Sequence, residues 1–361
     1  MTSTTYPEFD GATEGKEVAR VFAEGIRGKT ILITGVNRAG IGFTTAEAFA
    51  SQSPAHLIIA GRTESKLKES IDALRTQFPG VDYRPLKLDL SSQHAVREAS
   101  AKALSWSDIP TIDIIVNSAG IMLVPERTLS EDGIEMHFAT NHIGHFLFTC
   151  LLMPKLIKAS RSNPAGATRI VNVSSLSPTM TKQMRWSDMN FEKINGELPK
   201  EEQPMYDIHR AWGATGDLEA ISYLPLEGYN QSKVANVLFG IAANKKLYEK
   251  YGILSLAVHP GVIETELVRH MTQETQKAVQ EMRENGSYPF ITAGAGAATS
   301  TVAALDPSLG VPEMRNGKEN YGAYLIACQI SDRANPGAVS SDEAEKLWRL
   351  SEELVREKFS L

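Results

Sequence analysis

Cysteine is scarce in this chain of 361 residues: only Cys150 and Cys328 occur, both in apolar runs. Two are too few for a disulfide framework, so they read as buried thiols in a reducing compartment. Long apolar stretches are missing as well. The segment Met1 to Arg27 carries Glu8, Asp10, Glu14, Lys16, Glu17 and Arg20, which leaves neither a signal-type core nor the ~20 apolar residues of a membrane span. No basic tract is present. With 37 Lys and Arg against 43 Asp and Glu the net charge is −6 and the pI ≈ 5.8, which argues against a nucleic-acid surface and against attachment to anionic membranes. Internal repeats, heptads and low-complexity blocks are also lacking. What is present is 42% hydrophobic content, ample for a large core. The expectation is a soluble, cytoplasmic protein with no nucleic-acid partner and no transmembrane segment.

Val18, Phe22 and Ile26 recur at helical spacing, so a short helix is expected in an N-terminal extension, residues 1–28. Thr30-Ile31-Leu32-Ile33-Thr34 then reads as a strand buried on both faces. It ends in Gly35, and Gly40, Ile41 and Gly42 precede a helix-like stretch from Phe43 to Ser51. Strand, glycine-rich turn and helix in that order place backbone N–H groups and a positive helix end where a pyrophosphate can sit. Three glycines also suit an ordinary tight turn. The second strand, His56 to Ala60, runs into Gly61-Arg62 with no acid at its tip. An acid there would hold a ribose 2′-hydroxyl and an arginine accommodates a 2′-phosphate, so NADP(H) is expected over NAD(H). Arg38, inside the glycine turn, either adds a second positive charge near that phosphate or is a solvated surface arginine.

Asp89 and Leu90 end a third strand-like segment, with Asp89 expected near the adenine or, alternatively, at a helix start with Ser91 and Ser92. Ile112 to Val116 is a fourth strand closed by Asn117-Ser118-Ala119-Gly120, whose small residues would let a cofactor approach the backbone. Strands alternating with helical segments argue for a parallel sheet covered on both faces. Farther on, Tyr229 and Lys233 stand four apart on one helix face. A neighbouring ammonium favours the phenolate, so the pair can serve in proton transfer. Its plainer reading is an aromatic core residue beside a solvated lysine.

Taken together, these residues resemble the short-chain dehydrogenase/reductase family, most closely its retinol-dehydrogenase-like branch with fungal-type members. The matching segments are Thr34-Gly35 with Gly40-Ile41-Gly42, Asn117 to Gly120, Asp132-Gly133 with Asn141 to Phe146, Arg169 to Ser175, Tyr229 to Lys233, and His259-Pro260-Gly261. The resemblance implies an α/β fold: a Rossmann-like doubly wound parallel sheet of about seven strands, forming one domain over residues 29–361. It departs from the family pattern in the glycine turn, where four residues (Val36, Asn37, Arg38, Ala39) stand where three are usual, and at Ser118, where a second Asn is common.

The resemblance also implies the site. Tyr229 would be the general acid/base, Ser175 would orient the substrate oxygen with Ser174 as the alternative, Lys233 would lower the Tyr pKa and contact the nicotinamide ribose, and Asn141 would complete a proton relay through water. Pro260, Gly261, Val262 and Thr265 would lie along the nicotinamide. The activity implied is hydride transfer between NADP(H) and a carbonyl or carbinol carbon of a hydrophobic small molecule. His137, His142 and His145 form no recognisable ligand spacing, and no metal is expected.

The interval from Ser175 to Tyr229 is far longer than this family usually needs. Its excess, about 177–227, holds Trp186, Tyr206, Trp212, Tyr223 and four methionines, and reads as a substrate lid with Trp186 and Trp212 against the ligand or as a surface excursion with its own core. Asn195-Gly196 and Pro199 to Glu202 suggest an exposed middle loop, and Val262 to Asn285 is a second candidate lid. The last strand is expected over Tyr321 to Ile330, and a helix over Ala344 to Lys358. Two other functions compete: a protein that binds NADP(H) without turnover, and a pathway enzyme using the same pocket for a non-redox step. Family members include monomers, dimers and tetramers, which leaves homo-oligomerisation open.

Overall fold

A computed structural model describes residues 1–268 and 271–361. Its centre is an eight-stranded sheet. The parallel strands are β1 (Thr30–Thr34), β2 (His56–Gly61), β3 (Asp82–Lys87), β4 (Ile114–Asn117), β5 (Thr168–Val173) and β6 (Ile253–His259). A small hairpin, β7 (Glu313–Arg315) and β8 (Lys318–Tyr321), stands apart, and β9 (Tyr324–Ile326) and β10 (Gln329–Ile330) complete the main sheet in the order β10-β9-β6-β5-β4-β1-β2-β3.

The alternation of side chains along β1 explains the layering. Leu32 joins Ile58, Ile115 and Ile170 in the core under the Gly144–Ser160, Pro225–Tyr251 and Ser341–Leu354 helices. Ile31 and Ile33 point the other way, with Leu57, Val116 and Val171, under the Ile41–Ala50 and Ala293–Leu305 helices. Period-two alternation therefore appears as a continuous apolar run, because both faces of the strand are covered. β1 pairs with β2 on one side and β4 on the other. Chain order reverses there, which opens a crevice at the carboxyl ends of the strands.

The expected final strand is divided. Ala327 and Cys328 both take positive φ, 49° and 65°, and the chain turns so that β10 runs antiparallel to β9. Two adjacent residues in the left-handed region form the turn that suits a hairpin's twist. The helical segment that carries Asn141 is interrupted: Met136–Phe138 is followed by a π-helical turn, Ala139–Ile143, before the α-helix resumes at Gly144. Among the described residues no helix is long and apolar enough to cross a membrane. Both cysteines are buried as free thiols.

Candidate active site

The turn after β1 is shaped by close backbone approaches. Gly35 has φ +74°, and a Cβ there would lie 2.5 Å from the Cα of Ala119; one at Gly42 would lie 2.6 Å from the Gly35 carbonyl oxygen. Side chains are excluded, so the turn stays open to a ligand in front of the Ile41–Ala50 helix, whose first N–H groups carry the positive helix end. The buried Oδ1 of Asn37 has no partner among the described residues. An open backbone cradle and a helix N-terminus fit a dinucleotide pyrophosphate.

Beneath that turn, Thr34 holds two loops together. Its Oγ1 accepts from the N–H groups of Ser118 and Ala119, each at 3.0 Å, and so donates to Nε2 of His145 at 2.8 Å. The other ring nitrogen of His145 donates to the Asn141 carbonyl at 3.0 Å. Burial, aided by the Lys233 charge, holds the His145 pKa down at about 4, which keeps this tautomer neutral.

Gly35, Gly40, Ile41, Gly42, Arg62, Asp89 and Leu90 all line a cleft of ≈ 630 Å³, and Ala119, Gly120, Pro260, Gly261, Val262 and Thr265 line it farther along. Asp89 also accepts from the N–H and hydroxyl of Ser91, at 3.0 and 2.6 Å, ordering the turn into the next helix. Arg38 stands outside the cleft, its guanidinium 4.5 Å from the Phe43 ring centroid. Asn117 also faces away, donating to Thr149 and to Oδ1 of Asn172 within the sheet. Lys66, one helical turn beyond Arg62, lines the cleft and pairs with Glu266 at 2.7 Å. Its position in the first turn after Arg62 was the available sequence signal.

Ser175, Tyr229 and Lys233 meet in the middle of the cleft. Lys233 donates to the Val173 carbonyl at 2.9 Å, with Nζ 5.7 Å from the Tyr229 ring centroid. Burial favours the neutral form of each. It pushes the Tyr229 phenol well above its ordinary value, reinforced by Tyr288 and opposed by a hydrogen bond with Ser175, and it lowers Lys233 to about 7. Desolvation is the largest influence on both groups in this geometry. Ser174 lines the cleft too, but its hydroxyl donates to the Lys233 carbonyl at 2.7 Å.

Asn141 lies behind Gly120, in the π-helical turn. Its Oδ1 accepts from the Ile121 N–H at 2.8 Å, and its Nδ2 donates to the Ile121 carbonyl and to Ser232 Oγ. The carboxamide thus ties the β4 loop to the helix carrying Tyr229. Tyr324, unmarked in the sequence, donates its hydroxyl proton to the Ser175 carbonyl.

The far end of the cleft is apolar, with Met122, Trp212, Leu226, Val279, Tyr288 and Phe290 on its walls. Trp212 is packed edge-on to Tyr288, ring centroids 5.4 Å apart. Trp186, expected beside it, lies elsewhere: its indole N–H donates to Glu343, and Lys346 Nζ sits 4.6 Å from its ring centroid, so it is clamped to the Ser341–Leu354 helix. In the middle of the insertion Gly196, Pro199, Lys200 and Glu201 are exposed, as expected, while Asn195 and Glu202 are not. Asn195 is buried because Arg185 donates to its Oδ1 while its Nδ2 donates to the Leu218 carbonyl, and Glu202 is buried because it accepts from Ser187. The second candidate lid contributes Met271 and Val279; Arg269 and His270 within it lie outside the described residues.

The three histidines of the Asn141 region have separate partners. His137 donates to Glu135 and accepts from the Val124 N–H, His142 bonds Ser351, and His145 bonds Thr34.

Comparison with known proteins agrees with this architecture. The family model for short chain dehydrogenase matches residues 29–186. The oxidoreductase fscI of Fusarium equiseti is 37% identical over 253 residues, spanning 70% of this chain and 94% of the relative. Retinol dehydrogenase 14 of Homo sapiens is 31% identical over 345 residues, spanning 91% and 87%. Among solved structures, NADPH bound carbonyl reductase from chicken fatty liver aligns with TM-score 0.55 at 17% identity, covering 84% of this chain and 93% of that one. The 3-ketoacyl-(acyl-carrier-protein) reductase from Brucella melitensis complexed with NADH gives TM-score 0.55 at 19% identity, covering 83% and 97%. At those identities the structures bear on the fold alone.

Proposed function

The chain belongs to the short-chain dehydrogenase/reductase family of oxidoreductases, and we propose that it is an NADP(H)-dependent carbonyl reductase, or the reverse alcohol dehydrogenase, acting on a hydrophobic small molecule. The observation that carries this reading is the convergence of Ser175, Tyr229 and Lys233 at the point where a glycine-turn cleft opens into an apolar chamber. A bound nicotinamide would supply the hydride. The protein's own groups manage the oxygen. With its pKa pushed up by burial, Tyr229 holds its proton at neutral pH and can give it to a developing alkoxide. Ser175 binds that same oxygen, and Lys233, near neutrality in its own pKa, sits where it can replenish the phenol. Arg62 at the β2 tip, with Lys66 behind it, supports a 2′-phosphate and hence NADP(H). The apolar walls around Trp212 and Tyr288 exclude water from the reacting carbon and suit an aromatic or polycyclic substrate.

The test is consumption of NADPH against NADH with a panel of hydrophobic aldehydes, ketones and quinones. Turnover with NADPH that drops by about three orders of magnitude or more in Tyr229→Phe, with NADPH binding intact, is expected when a general acid is removed from an otherwise preserved site. Equal turnover in Tyr229→Phe would sink the assignment.

A further inference from the structure

Ser175 does not stand alone behind the cleft. Its Oγ is 2.6 Å from the Oγ of Ser177 and accepts from the Ser177 N–H at 3.0 Å, while the Ser177 hydroxyl donates to Oδ1 of Asn230 at 2.7 Å. Ser177 and Asn230 are fully buried, and only Ser175 of the three reaches the cleft. Nδ2 of Asn230 is buried with no partner among the described residues.

Counting protons along this chain gives it a direction. A serine hydroxyl has one proton to donate. Ser177 directs its proton to Asn230, so the short contact between the two serines has Ser175 as donor. With the amide in this orientation Ser175 presents its one remaining lone pair, not a proton, to the cleft, so its hydrogen bond with the neutral Tyr229 phenol has the phenol as donor. That polarity suits an alcohol, which donates, and is wrong for a carbonyl or alkoxide oxygen, which must be donated to. A half turn of the Asn230 amide exchanges two nearly isosteric groups and reverses every link. Nδ2 would donate to Ser177, Ser177 to Ser175, and the Ser175 proton would face the substrate oxygen. The turn also moves the unpaired position from an amide N–H group to a carbonyl oxygen, the better tolerated orphan.

We propose that Ser177 and Asn230 are positioning residues that set the hydrogen-bond polarity of Ser175, letting one serine accept from an alcohol and donate to a carbonyl. No bond is broken in the change; hydroxyls and one amide rotate. This inference rests on the proposed role of Ser175 in the reductase reading.

The experiment measures NADPH oxidation with 9,10-phenanthrenequinone by the full chain, alongside NADPH affinity by fluorescence titration. Asn230→Asp places an acceptor-only group at the end of the chain and locks Ser175 in the accepting polarity. Its kcat should fall by about 100-fold, the scale for losing one oxyanion donor, with NADPH affinity held within about twofold, and the loss should lessen at low pH as the new carboxyl protonates. Ser177→Ala cuts the link and frees the Ser175 proton; on its own it should lower kcat by only about fivefold, through lost orientation of a single neutral hydrogen bond. The decisive variant combines the two: Asn230→Asp with Ser177→Ala should recover to the Ser177→Ala level. A structural role for Asn230 would not make the double variant faster than the single. Full activity in Asn230→Asp, or no recovery in the double variant, overturns the proposal. Should Asn230→Asp lack a cooperative melt, Asn230→Leu replaces it, and a loss there much beyond the Ser177→Ala level overturns the proposal equally. Undiminished turnover in Ser175→Ala would instead refute the role of Ser175 itself. Silence of the unmodified protein across the quinone and aldehyde panel would remove the reductase reading and this inference with it.

Discussion

Oγ1 of Thr34 and Nε2 of His145 lie 2.8 Å apart, a donor and an acceptor from distant parts of the chain, and through this contact the helix behind the site holds both loops that flank the proposed cofactor. Thr34→Val keeps the shape but removes the acceptor for the Ser118 and Ala119 N–H groups. Each buried polar group left unpaired costs about 1–3 kcal/mol. The variant should therefore melt at lower temperature and bind NADPH at least about tenfold more weakly, since 1.4 kcal/mol corresponds to a factor of ten. Thermal melts with fluorescence titration check both.

Three buried histidines define an acid window. Burial holds His142 and His259 down at about 3 and His145 at about 4, against ~6.5 in the unfolded chain. Between those values the unfolded state binds more protons than the fold, so stability is complete above about pH 6.5 and declines as pH falls through that range. Each histidine contributes a slope of up to about 1.4 kcal/mol per pH unit. Denaturant titrations across the range should show the decline, and Thr34 and Ser351, the partners of two of these rings, should not abolish it when replaced singly.

Lys233 has the opposite position on the scale. Its pKa is lowered to about 7 by burial, whereas an unfolded lysine titrates near ~10.4. Over that window the unfolded state again holds the extra proton, so stability rises with pH. Lys233→Met should raise the melting temperature at neutral pH and flatten the dependence between about pH 7 and 10, while turnover collapses. A variant less stable than the unmodified protein at neutral pH would contradict the desolvation cost assigned here.

Cofactor choice should follow Arg62. A hydrogen bond to a charged group is worth roughly 1.5–3 kcal/mol, so Arg62→Ala should lower the NADPH to NADH ratio of kcat/KM by about 10- to 100-fold. Lys66→Ala should act in the same direction more weakly, because its ammonium is shared with Glu266. An unchanged ratio in both variants would remove the phosphate assignment.

The two insertion tryptophans should separate cleanly. Trp212→Ala opens the apolar chamber and should raise KM for bulky substrates by about tenfold or more, given the 1.5–3 kcal/mol of a buried aromatic contact. Trp186→Ala releases the Ser341–Leu354 helix and should lower the melting temperature while leaving KM unchanged.

Much of this was legible in the residues. The β-branched run Thr30–Thr34, the glycines after it and the Tyr229–Lys233 spacing are local patterns, and local patterns survive in a linear reading. The divided last strand was hidden because Ala327 and Cys328 adopt φ values usually left to Gly or Asn. Trp186 and Trp212 looked equivalent, since both are aromatic and both lie in the insertion. Only their partners, Glu343 for one and Tyr288 for the other, tell them apart.

By itself the sequence determined the alternation of strands and helices, the glycine turn and the family, because each shows in residue type at short spacing; it also nominated Asn141, Ser175, Tyr229 and Lys233 for the proposed site. Tertiary structure decided what those groups face. It set Arg38 on Phe43, Asn141 behind Gly120, Lys233 in a dry site that disfavours its charge, and Ser175 at the end of a chain running through Ser177 to Asn230. Hydrogen-bond direction and desolvation depend on neighbours brought together from remote segments, and no spacing rule along the chain encodes them.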